Sequence, residues 1–229
     1  MKQVALDINV HPLASFDNFI DGPNAQLIHE LKAWVNALKT ETFPNCFYLW
    51  GERGSGKSHL LQASAELATQ LGLVVKHFAP NAPAEPFQPN CKLMVMDDVQ
   101  EYDEQAQANC FNWFVNASLP TDGIQRGILV SATLPPTDLM IREDLRTRFA
   151  SGLVSAIDVL DESQRKAVLI QQACLRGLEL RADVLDFMMS RFSRDLTNLV
   201  GWLDQLDAFA LQSKRPITIP LIKDMLKDI

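Results

Sequence analysis

Gly51-Glu52-Arg53-Gly54-Ser55-Gly56-Lys57-Ser58 follows the apolar run Cys46-Phe47-Tyr48-Leu49-Trp50 and precedes Leu60, Leu61, Ser64, Leu67, Ala68 and Leu71, which recur at helical spacing until Gly72. A strand, a glycine-rich turn and a helix in that order can aim successive backbone N–H groups at a polyphosphate, at the helix end that already favours anions. The pattern G-x-x-x-x-G-K-[ST] also assigns side chains: Lys57 to the β- and γ-phosphates and the Ser58 hydroxyl to Mg2+. The alternative is a glycine-rich turn that binds nothing. Strand, loop and helix all in register argue against it.

The second half of such a site is Lys92-Leu93-Met94-Val95-Met96-Asp97-Asp98, an apolar strand that ends in two carboxylates. Asp97 is placed to hold the Mg2+ shell, and Asp98 to orient or deprotonate an attacking water. Two acids could instead cap the following helix, which the pattern starts near Asp103. Gly127-Ile128-Leu129-Val130-Ser131-Ala132 is a further buried strand, ending at Thr133 before Pro135-Pro136. Strand and helix alternate throughout this part, so we expect an α/β fold with a parallel sheet, covered faces and a site at the strands' carboxyl ends.

Around this centre, residues 1–12 read as an extended tail. A first helix carries Leu27, Leu31, Trp34, Val35 and Leu38, with Asn24 as its cap. Leu73 to Phe78 is a second strand. Pro80, Pro83, Pro86 and Pro89 then recur every three residues, which suits a polyproline II crossover or a docking segment for a proline-reading partner. From Asp161 the strands give way to helices over 162–178, 182–192 and 195–212, and Pro220 opens a short last one. The expected division is therefore a tail over 1–12, an α/β domain over 13–160 and a small all-helical domain over 161–229.

Bulk properties narrow the function classes. The chain has 229 residues and a formal net charge of −7, with a pI near 5.1. That charge disfavours autonomous binding to duplex DNA, which depends on Lys and Arg neutralising phosphates. No apolar run is long enough for a membrane helix, and no signal peptide is evident, so a cytoplasmic location is expected. Cys46, Cys91, Cys110 and Cys174 form no C-x-x-C pair and read as reduced core residues; His11, His29, His59 and His77 show no ligand spacing.

The order of phosphate loop, hydrophobic-Asp-Asp strand, strand ending in a small polar residue, Arg146-Thr147-Arg148-Phe149 and helical lid resembles the AAA+ ATPases. Within them, Phe16-Asp17-Asn18-Phe19 with Gly22, and Asp97-Asp98-Val99-Gln100, resemble the clade of the bacterial replication initiator DnaA. With the residues ending after the lid, no basic helix-turn-helix domain is expected, and prolines stand where initiators carry a helical insertion. The chain is thereby similar to the DnaA-homologous Hda family of regulators, through Leu203-Asp204-Gln205-Leu206-Asp207 and Ile217-Thr218-Ile219-Pro220.

That resemblance implies a site for ATP or ADP with Mg2+, built from Phe19, Ile20, Gly51, Arg53, Gly54, Ser55, Gly56, Lys57, Ser58 and His59. It places Thr133 at sensor 1, where initiators carry Asp, and Arg148 at the arginine finger, with a surface ion pair as the finger's alternative. At sensor 2 it places Thr197, and Arg194 one turn earlier could supply the charge. It implies weak intrinsic hydrolysis, room for a homo-oligomer, and two partners: an ATP-loaded DnaA and the polymerase sliding clamp. The clamp would be met by Gln3, Leu6 and Ile8 of the tail, which resemble a clamp-binding peptide. An adaptor or loader that does not stimulate hydrolysis is the alternative, and a small-molecule kinase sharing the loop is a third.

Overall fold

The computed structural model describes residues 14–39, 43–78, 89–118, 122–192 and 196–227. It divides into two compact units, one over Ala14–Leu160 and a second that begins at Asp161.

Among its described residues the first unit holds five parallel strands, β1 (Cys46–Trp50), β2 (Val75–Phe78), β3 (Leu93–Met96), β4 (Gly127–Ala132) and β5 (Leu153–Ala156), in the order β2-β3-β4-β1-β5. Among the described residues, α1 (Ala25–Ala37) leads into β1, and α2 (Lys57–Gln70), α3 (Glu104–Ser118) and α4 (Glu143–Ala150) follow β1, β3 and β4. Alternate residues of one strand face opposite sides of the sheet. Phe47 and Leu49 of β1 meet Leu93, Val95 and Leu129 in a core shared with α1 and α2. Cys46 and Tyr48 meet Met94, Met96, Ile128 and Val130 in a second core shared with α3 and α4. The central strands β1, β3 and β4 are buried on both faces, which is why they read as unbroken apolar runs. Each fully buried large side chain contributes roughly 1.5–3 kcal/mol.

Three expectations are corrected here. The fifth strand was not expected: it is only four residues long, Leu153-Val154-Ser155-Ala156, and its Leu153 and Val154 stand at the sheet edge about two-fifths exposed instead of in the core. Asn24 does precede α1, but its side chain makes no capping bond. It bonds the backbone of Asp158 instead. Finally, Cys174 is exposed, whereas Cys46, Cys91 and Cys110 are buried, and all four are free.

The second unit contains α5 (Glu162–Leu175), α6 (Ala182–Arg191), α7 (Leu196–Ser213) and α8 (Ile219–Met225). Asp161 starts α5 with a reciprocal cap: its carboxylate accepts from Gln164 N–H at 2.8 Å while its own N–H donates to the Gln164 side chain at 2.9 Å. Thr218 caps α8, with Pro220 in the first turn, where a missing N–H costs nothing. Leu169, Met188, Leu199, Leu203, Leu206 and Leu221 form the core of this unit. Among the described residues no helix is long and apolar enough to cross a membrane.

Candidate nucleotide site

All five strands are parallel, so the loop after β1, the acids after β3 and Thr133 after β4 lie along one edge of the sheet. In the order of strands, β4 stands between β3 and β1. This topology puts the acid pair and the phosphate loop one strand apart.

The loop's shape depends on its glycines. Gly54 and Gly56 have φ of 76° and 100°, a region that side chains disfavour. Gly56 immediately precedes α2, whose first N–H groups have no carbonyl partner within the helix. A side chain at Gly56 would also strike the Phe19 ring at 2.7 Å, and one at Gly51 would strike the Ile157 carbonyl at 2.8 Å. The Gly51 N–H bonds the Ala132 carbonyl at 3.2 Å, which stitches the start of the loop to the end of β4.

Lys57 is buried and donates to the carbonyls of Gly51 at 2.9 Å and Glu52 at 3.0 Å. Burial pushes its pKa below the usual lysine value, opposed by the charges of Asp98 and Asp97 and reinforced by Arg53. Ser55 is buried and its hydroxyl has no partner among the described residues, while Ser58 is exposed in the first turn of α2.

Phe19 is brought to the loop by a local device. Ser15 and Asn18 bond each other's backbone at 3.3 and 2.9 Å, closing a tight turn over Phe16–Asn18. His59 of α2 then bonds the Ser15 carbonyl at 2.9 Å and lies 5.3 Å from the Phe19 ring. With a carbonyl as partner, Nε2 must carry the proton, and burial lowers the His59 pKa. Ile20 follows, half-buried.

At the other end of the edge, Asp98 adopts φ 48° and ψ 52°. Its N–H donates to the Ser131 hydroxyl at 3.0 Å, and that hydroxyl donates to Asp97 Oδ1. The Gln100 amide donates to Asp98 Oδ1 at 3.0 Å and accepts from the Thr133 N–H at 3.2 Å. The helix cap that the acids could have supplied comes from Asp103, whose carboxylate accepts from Ala106 N–H at 2.7 Å. Sequence reasoning passed over Ser131. A serine inside a fully buried apolar strand needs a partner, and that was the available signal.

Arg148 sits in the last turn of α4, with its guanidinium 4.7 Å from the centre of the Phe111 ring of α3. Arg142 lies 5.3 Å from the same ring but is paired with Asp144 at 2.6 Å. No ion pair joins Arg148 to a carboxylate among the described residues, nor does any contact join it to the phosphate loop. Gln3, Leu6, Ile8 and Arg194, with Pro80, Pro83 and Pro86, lie outside the described residues, as does the side chain of Thr197. Among the described residues no three His, Cys, Asp or Glu side chains converge as a metal cage.

A family model of the bacterial DnaA ATPase domain matches residues 10–77, and one of the Hda lid domain matches residues 151–226. An uncharacterised protein of Haemophilus influenzae is 30% identical over 237 residues, covering 98% of each chain. The chain belongs to the DnaA clade of AAA+ proteins, related to Hda. The chromosomal replication initiator DnaA of Leifsonia xyli subsp. xyli is 27% identical over 241 residues, which cover 97% of this chain and 50% of that one. This DnaA-clade chain therefore spans about half the length of that initiator. Domain III of Thermotoga maritima DnaA shares the fold with a TM-score of 0.77 at 24% identity, covering 95% of this chain and 98% of that one. The AMPPCP-bound DnaA of Aquifex aeolicus matches with a TM-score of 0.65 at 24% identity, over 83% of this chain and 63% of its own.

Proposed function

We propose that this chain is a nucleotide-binding AAA+ regulator of bacterial replication initiation, acting with the sliding clamp to promote hydrolysis of ATP held by DnaA. The observation that carries the nucleotide reading is the phosphate loop at the sheet's carboxyl edge, with Lys57 buried in it and the acid pair one strand away. The donor set suits a magnesium nucleotide. Mg2+ usually takes one or two protein oxygens and completes its shell with phosphate and water, and Asp97 and Ser58 supply that number without a closed cage. The bound metal would neutralise charge developing on the phosphoryl oxygens.

The roles of the chain's own residues follow from their placement. Lys57 exchanges its two loop carbonyls for phosphate oxygens. The unpaired N–H groups at the start of α2 receive the anion, and Phe19, held by His59, walls one side of the loop. Asp98 is placed to orient water, and the Thr133 hydroxyl faces no partner among the described residues. Hydrolysis by this chain alone is expected to be slow, since Thr replaces a carboxylate at that position.

Arg148 is the residue we assign to the partner's nucleotide. Its guanidinium is kept on an aromatic face instead of in an ion pair, so it loses no carboxylate when it meets a phosphate. An arginine finger adds roughly 10³ to 10⁵ in rate in comparable phosphoryl transfers. The test is DnaA-bound ATP hydrolysis in the presence of clamp. Arg148→Ala should abolish stimulation while retaining association with DnaA; unchanged stimulation would favour an adaptor or loader.

A further inference from the structure

Resting on the nucleotide site proposed above, we infer that Ser131 and Gln100 are positioning residues for the acid pair: Ser131 orients Asp97 toward the metal, and Gln100 orients Asp98 and ties it to the end of β4.

Ser131 is fully buried, and a hydroxyl has one proton to give. It gives that proton to Asp97 Oδ1 and accepts the Asp98 N–H at 3.0 Å, so both of its functions are committed and its rotation is fixed. One serine on β4 thereby sets the carboxylate of the first acid and the backbone of the second. The second point is physically needed. Asp98 lies in the left-handed region, which costs a residue with a side chain on the order of 1–2 kcal/mol, and a bonded N–H holds it there.

Gln100 completes the bridge from the other side. Its amide orientation is dictated by its partners, because a carboxylate can only accept and an N–H can only donate. The NH2 group therefore faces Asp98 and the oxygen faces Thr133. Each acid thus has Oδ1 tied to the protein, while Oδ2 has no hydrogen-bond partner among the described residues. A ligand can use Oδ2 without breaking the bridge. A displacement of the chain at Thr133 would also be carried through Gln100 to the Asp98 carboxylate.

The test is calorimetric titration of the full chain with ADP, once with Mg2+ and once with EDTA, the second reading the loop and Lys57 without the metal. Loss of an outer-shell partner of this kind typically lowers metal affinity about 10- to 100-fold. Ser131→Ala should shrink the Mg2+-dependent gain by that order and leave binding in EDTA unchanged, and Ser131→Thr should restore the gain. If Ser131→Ala does not fold, Ser131→Cys keeps the volume with only a weak donor and carries the same expectation. Gln100→Glu can still accept from Thr133 but cannot donate to Asp98; it should keep the Mg2+ gain and lower kcat for hydrolysis at unchanged KM. A full Mg2+ gain in Ser131→Ala or Ser131→Cys, or equal losses with and without Mg2+, would overturn the inference while the nucleotide reading stands. Wild-type chain that binds no nucleotide would overturn both.

Discussion

Asn24 and Asp158 hold each other in both directions: the Asn24 amide donates to the Asp158 carbonyl at 3.0 Å, and the Asp158 N–H donates to the Asn24 oxygen at 2.8 Å. Asn24 is buried, and the pair ties the entry of α1 to the chain leaving β5. Asn24→Ala would leave both backbone groups of Asp158 unpaired. We expect a loss of about 1–3 kcal/mol, seen as a lower denaturant midpoint with an unchanged slope.

Gly56 is constrained twice, by its φ of 100° and by the Phe19 ring 2.7 Å from where a Cβ would stand. Gly56→Ala should therefore weaken nucleotide binding severely. Adding Phe19→Ala relieves the collision but not the backbone strain, which costs on the order of 1–2 kcal/mol. The double variant should bind better than Gly56→Ala and worse than Phe19→Ala in the same calorimetric series.

Arg126 is a fully buried cation whose guanidinium reaches the Asp122 carboxylate and the carbonyls of Cys91, Ile124 and Pro89. Arg126→Met would strand those acceptors and cost about 3–5 kcal/mol. The Arg126 guanidinium holds the Asp122 carboxyl down at about 2. Since the folded-state value is depressed, this contribution is complete above a pH of about 4 and is lost as pH falls toward 2. Acid unfolding curves of Arg126→Met should lack that component.

His59 gives the opposite chemistry a related sign. Burial holds its pKa below the ordinary 6.5, so the unfolded chain takes up the proton first as pH falls. The stability it contributes is complete above 6.5 and declines below it, toward the folded-state value. His59→Gln should flatten thermal stability across that window. A slope identical to wild type would contradict a depressed His59 pKa.

The parts of this fold that were legible in the sequence are those where burial alone dictates residue type. Cys46–Trp50 and Gly127–Ala132 stand as read, because a parallel strand covered on both faces has no room for polar alternation. The strand over Leu153–Ala156 was not legible. Its four residues are too short a run to stand out, and the β1 edge they pair with lies about a hundred positions away. Asn24 shows a different limit: its type suits a cap, but the bond it makes is chosen by a segment 134 residues away. At the site, the loop and the acids were readable from spacing. The bridge through Ser131 and Gln100 was not, because it exists only once β3 and β4 are neighbours.

The central claim is that this chain holds an adenine nucleotide in the loop around Lys57. Its most direct test is calorimetric titration of wild type and Lys57→Ala with Mg2+ and ADP or ATP. Lys57 would contribute charge-assisted hydrogen bonds worth about 1.5–3 kcal/mol each, so wild type should bind with one-to-one stoichiometry and Lys57→Ala at least about tenfold more weakly. Equal binding by the two proteins, or none by wild type, would contradict it.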